Sequence, residues 1–251
     1  MKLKTFIWII IKRSLALLKL NKEVIEVALF VTILSSILFT LNVLNSMINQ
    51  LLTLSTYTPW GIITSIFVHG NLEHIKGNIL LLWIWTIYIV FQNSFMVNKF
   101  LREDDVSKRL KFSMISVFLS VISSNILWLI LSNPGSTTIG SSGVVYAFGG
   151  VLLALSLMNF LYISRKFENK DISTKAKAWN MIWNIFVCAS LSILVVFQGA
   201  IFFATGNPQI NALVHLVSFL LAFIMVSVYE YYPLFLLPSI QKIIYHLKNR
   251  K

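Results

Sequence analysis

Ser142, in the string Gly140-Ser141-Ser142-Gly143, and His215, in the last long apolar segment, are the two residues whose types most directly suggest bond-breaking chemistry. A serine hydroxyl is a weak nucleophile until a neighbouring base takes its proton, and histidine is the usual base. Three further residues fall at helical spacing around them. His74 and Asn78 are four apart and share one helix face, as do Ser142 and Tyr146. With the backbone N–H of Ser142 near a helix N-terminus, His74 and Asn78 can donate to the oxyanion that acyl transfer creates. Ser141 is the rival nucleophile. All nine acidic residues sit in loops or at helix ends, and among them Glu73 alone lies near the level of these groups. A dyad is therefore expected rather than a triad.

The elements that must carry these residues are membrane helices. With 57% hydrophobic and 12% charged residues, the chain has about half the charge of an average soluble domain. Its charges punctuate long apolar stretches, and Pro/Gly clusters at Ser132–Thr138 and Thr205–Pro208 split two of them. A span needs about 20 apolar residues, which gives expected spans at 26–47, 72–94, 112–132, 140–162, 180–204 and 210–229.

Of 21 basic residues, 6 precede the first span, 5 lie in Lys99–Lys111, 5 in Arg165–Lys177 and 4 follow the last span; Lys76 is the remaining one. That alternation puts both termini in the cytoplasm. The expected fold is all-α: a polytopic six-helix bundle at 25–230, a basic amphipathic cytoplasmic segment at 1–24 and a basic cytoplasmic tail at 231–251. The net charge of +12 is accounted for by this topology and by anionic headgroups of the bilayer, without nucleic acid. The loop at 48–68 is uncharged and holds Tyr57 and Trp60, as expected of a segment at the outer headgroup boundary.

In this topology the second, fourth and sixth spans all run inward, so His74, Ser142 and His215 lie at one depth. Gly143, Ala147 and Gly150 form a small-residue stripe on the fourth span and Ser218 and Ala222 another on the sixth. Such stripes let backbones approach, bringing Ser142 beside His215.

His69–Asn78 (His-Gly-Asn-Leu-Glu-His-Ile-Lys-Gly-Asn), Gly140–Ala147 (Gly-Ser-Ser-Gly-Val-Val-Tyr-Ala) and Val214–Ala222 resemble, in order and placement, the motifs of rhomboid intramembrane serine proteases. The resemblance covers about residues 25–230. It implies Ser142 as nucleophile, His215 as general base, and His74, Asn78 and the Ser142 amide as the oxyanion hole. Tyr146 would stack on His215, Gly140 and Gly143 would support the site, and His69 would be structural. The implied reaction is cleavage of membrane-protein substrates in a transmembrane segment near the outer leaflet, at the cell membrane and without cofactor or metal.

Four positions depart from the family pattern. Gly61 follows Trp60 where the family often has Arg, Ser218 and Ala222 replace glycines, and Lys76 is added. The alternatives are a rhomboid-like protein that binds transmembrane clients without cutting, a metal or haem site on His69, His74 and His215, and a transporter or channel. The absence of a His-Glu-x-x-His string disfavours the second, and the lack of charge near the bilayer midplane disfavours the third.

Overall fold

The computed structural model describes residues 3–97, 101–165, 174–205 and 212–231. The basic tail, His246 included, lies outside the described residues, apart from Tyr231. The chain forms α1 (Leu3–Leu20), α2 (Lys22–Leu44), α3 (Met47–Leu52), β1 (Leu54–Ser55), α4 (Gly61–Thr64), a 3-10 turn (Ser65–Phe67) and α5 (Leu72–Val97). It continues through α6 (Glu103–Leu131), β2 (Thr137–Thr138), α7 (Ser142–Arg165), α8 (Thr174–Thr205) and α9 (Ala212–Tyr231).

α2, α5, α6, α7 and α9 are long and apolar enough to cross a membrane. α8 covers the stretch expected as a further span, and its side chains are described as far as Ile193. The helices outrun the expected spans at their charged ends; α6 starts at Glu103 rather than 112. Glu103, Asp104 and Asp105 occupy its first turn, where carboxylates favour the positive end of the helix dipole. Apolar length marks the part of a helix that meets lipid, not where the helix begins.

α7 is the central helix. In its most apolar window 72% of residues are buried, against 22% in α2. The small-residue stripe explains its closest partner, α9. A Cβ on Gly150 would overlap the main-chain carbonyl of Phe219, and one on Gly143 would press Val121, Val214 and the Ser218 hydroxyl. Ala147, Ser218 and Ala222 are fully buried. Ser218 stands where the rhomboid resemblance leads to an expectation of glycine, and its hydroxyl meets Ser124 Oγ of α6 at 2.7 Å. That bond joins α6 to α9 one turn below His215.

The segment between α2 and α5 packs onto the end of the bundle. β1 pairs antiparallel with β2, Leu54 opposite Thr138 and Ser55 opposite Thr137. Leu54, Ile66, Phe67 and Val68 are buried, whereas Leu51, Tyr57, Trp60 and Ile63 point outward. Gly61 is required where it stands, because a Cβ there would overlap the backbone of Thr53 and Leu54. Asn125 Nδ2 on α6 donates to Ile62 O at 2.8 Å and holds this segment down.

Gly150→Ala is expected to destabilise the purified protein more than Gly143→Ala. Overpacking costs about 1–3 kcal/mol where neighbours cannot yield, and the obstacle at Gly150 is backbone whereas at Gly143 it is side chain. Thermal unfolding of both variants in one detergent checks the order.

Candidate functional site

The site is assembled from three helix starts. Asn71 accepts the His74 N–H on its side chain at 2.8 Å and opens α5 as a capping residue, setting His74 and Asn78 on the first two turns. α7 starts at Ser142, whose amide is among the first-turn N–H groups that lack an intrahelical partner. α9 starts at Ala212 and carries His215 on its first turn.

Ser142 Oγ lies 2.7 Å from His215 Nε2. The Tyr146 ring stacks on the imidazole with centroids 4.3 Å apart and planes 12° apart. His215 Nδ1 has no hydrogen-bond partner among the described residues. For Nε2 to take a proton from Ser142 the ring must carry its hydrogen on Nδ1, and the stack rather than an acid then fixes the ring plane. Ser142 is buried and His215 half-buried.

A second serine–histidine contact lies beside the first. His69 Nε2 is 3.1 Å from Ser141 Oγ, 3.1 Å from Asn78 Nδ2 and 3.3 Å from the Ser141 amide nitrogen. One ring nitrogen has one lone pair, and here the Asn78 NH₂ and the Ser141 N–H both point at it. His69 is fully buried, and its pKa is lowered to about 4 by burial first and by the neighbouring His74 second. It is thus a poor base, and the lone pair that would take the Ser141 proton is already in use. This is the signal the sequence did not carry: Ser141 belongs to His69, and Ser142 to His215.

The remaining expected residues converge on Gly140. Its φ is +117°, a conformation that L side chains rarely adopt, and a Cβ there would lie 2.8 Å from His74 Nε2 and 3.6 Å from Asn78 Nδ2. His74 and Asn78 are therefore brought over the backbone two residues before Ser142, with no direct bond to Ser142 itself. The His69 and His74 rings meet edge to face at 5.1 Å. The Gly140 N–H donates to Ser65 O at 2.9 Å, tying this loop to the 3-10 turn, a partner invisible in the sequence. Lys76 faces away, exposed and 3.5 Å from Glu73. Among the described residues no group of three or more His, Cys, Asp or Glu is placed to hold a metal.

The family model for the Rhomboid domain matches residues 56–231. The chain belongs to the rhomboid family. It is a multi-pass membrane protein, and the matched range takes in the serine loop and both histidine-bearing helix starts described above. No curated protein matches this rhomboid sequence.

His69 must be neutral to fit its site, so folding is favoured above its unfolded pKa of about 6.5 and that contribution is lost as pH falls toward about 4. Thermal stability is expected to decline across that window, and to decline less steeply in His69→Gln. Melting temperatures from pH 7.5 to 4 for the two proteins measure the difference.

Proposed function

We propose that this rhomboid is an active intramembrane serine endopeptidase that cleaves transmembrane-segment substrates through a Ser142–His215 dyad. The observation that carries the reading is the 2.7 Å contact between Ser142 Oγ and His215 Nε2 under the stacked Tyr146 ring. Rhomboid proteins are in general intramembrane serine proteases, and both reacting groups of the motif are present here.

In this reading Ser142 Oγ attacks the scissile carbonyl carbon while its proton passes to His215 Nε2. The carbonyl oxygen becomes an oxyanion, met by the Ser142 amide at the positive end of α7 and by donors from His74 and Asn78. His215 then hands the proton to the leaving amine as the C–N bond breaks, leaving an acyl group on Ser142. Water, deprotonated by the same nitrogen, hydrolyses that ester and restores the hydroxyl. His69, held by Ser141 and Asn78, positions the Asn78 amide and takes no proton. Six spans with both termini in the cytoplasm would put the reaction near the outer leaflet of the cell membrane.

Cleavage of a tagged single-span substrate by purified protein in liposomes is expected to vanish in Ser142→Ala and in His215→Ala. It should survive Ser141→Ala and fall by about 10²–10³ in kcat for Asn78→Ala, as for loss of one oxyanion donor. A wild type that cuts no substrate and takes up no serine-directed phosphonate at Ser142 would replace this reading with client binding alone. Full activity in Ser142→Ala would refute the dyad.

A further inference from the structure

At the opposite end of the bundle from Ser142, α5, α6, α7 and α9 enclose a cavity of about 320 Å³ that the proteolytic reading does not use. Its size is in the range of small-molecule sites, about 300–1,000 Å³. Arg109 on α6 stands in its wall with a side chain only 7% exposed. The guanidinium donates through Nε to Glu230 of α9 at 2.9 Å and through Nη2 to Asn159 Oδ1 of α7 at 3.2 Å. Its Nη1 has no partner among the described residues, and neither has Asn159 Nδ2, although both atoms are buried. Unsatisfied buried donors are rare because each forfeits the hydrogen bonds it made to water. Both belong to residues that line one cavity, which points to a missing acceptor.

The charges around that acceptor narrow its chemistry. Arg109 and Lys108 line the cavity, and so do Glu230 and Asp105, so among the described residues the lining holds two positive and two negative groups. A bare anion would meet as much repulsion as attraction. A molecule with an anionic and a cationic end a few bonds apart would satisfy both sets. Met96, Leu101 and Met158 form the apolar part of the wall. The cavity lies at a charged helix end, where Glu103–Lys111 lead into the apolar part of α6.

We infer that this cavity binds the headgroup of a zwitterionic amino-phospholipid. The phosphodiester accepts from Arg109 Nη1, Asn159 Nδ2 and the Lys108 ammonium. The primary amine donates to the Asp105 and Glu230 carboxylates, and the first methylenes of the chains lie along Met96, Leu101 and Met158. Because Arg109, Asn159 and Glu230 join α6, α7 and α9, occupancy fastens together the far ends of the two helices that carry Ser142 and His215.

The test is titration calorimetry on the delipidated full-length protein in detergent. The probes are dihexanoyl phosphatidylethanolamine, dihexanoyl phosphatidylglycerol, soluble phosphoethanolamine and inorganic phosphate. The ethanolamine lipid is expected to bind at one per chain, and about tenfold more tightly than the glycerol lipid, which is ~1.4 kcal/mol. Asn159→Asp keeps the acceptor for Arg109 Nη2 but replaces the donor with a carboxylate, and should weaken that binding at least about tenfold by the same conversion. Lys108→Gln changes only an exposed rim residue and should weaken it without altering the melting temperature of the lipid-free protein. Equal affinity for the two lipids, or binding unchanged in both variants, would overturn the inference. So would phosphoethanolamine or inorganic phosphate binding as tightly as the lipid, which would make the occupant a soluble phosphate compound.

Discussion

Helices in a bilayer gain nothing from moving apolar side chains out of lipid, so what brings two of them together must be close backbone contact or hydrogen bonds. The approach of α7 to α9 is the contact of this kind on which the rest of the structure depends. Gly150 lies against the Phe219 carbonyl, Ala147 and Ala222 fill the same seam, and Ser218 bonds across to Ser124 on α6. At the top of that seam the first turns of the two helices are near enough for Ser142 Oγ and His215 Nε2 to meet at 2.7 Å. At the bottom the Arg109–Glu230–Asn159 cluster joins α6, α7 and α9.

The polar groups near Ser142 are in turn held by a part of the chain outside the long helices. The loop before α7 is tied to the segment after α2 by the β1–β2 pair and by Gly140 N–H to Ser65 O. His69 then arrives from the same segment to take the Ser141 amide and the Asn78 side chain. This is a polar scaffold fully removed from solvent at its centre, and burial is what keeps the His69 ring neutral. A second such cluster lies deeper, where Gln92 of α5 donates to Ser156 of α7 at 2.9 Å and to Asn184 of α8 at 2.7 Å.

The sequence disclosed what depends on spacing along one helix and hid what depends on contact between segments. His74 with Asn78, Ser142 with Tyr146, and the Gly143-Ala147-Gly150 stripe were readable because a helix repeats every 3.6 residues. The pairing of His69 with Ser141 was not, since loop geometry decides it and the sequence left Ser141 as a rival to Ser142. Gly61 looked like a departure from the family and is a steric requirement of a turn that only the folded loop reveals. Glu230 read as a helix-end charge, although its partner Arg109 is 121 residues away. Helix ends were less legible than helix cores, because charged first turns such as Glu103–Asp105 carry no apolar signal.

The Gly150 contact also bears on how this molecule can change over evolutionary time. Where two side chains touch, a larger residue on one side can be matched by a smaller one opposite. At Gly150 the opposing surface is the main chain of Phe219, which has nothing to shorten. A lineage that acquires a side chain here can be rescued only by changes that shift α9 bodily, and such a shift would carry His215 away from Ser142. Second-site suppressors at this position should therefore be rare, while the neighbouring side-chain contacts at Gly143 remain free to drift in pairs.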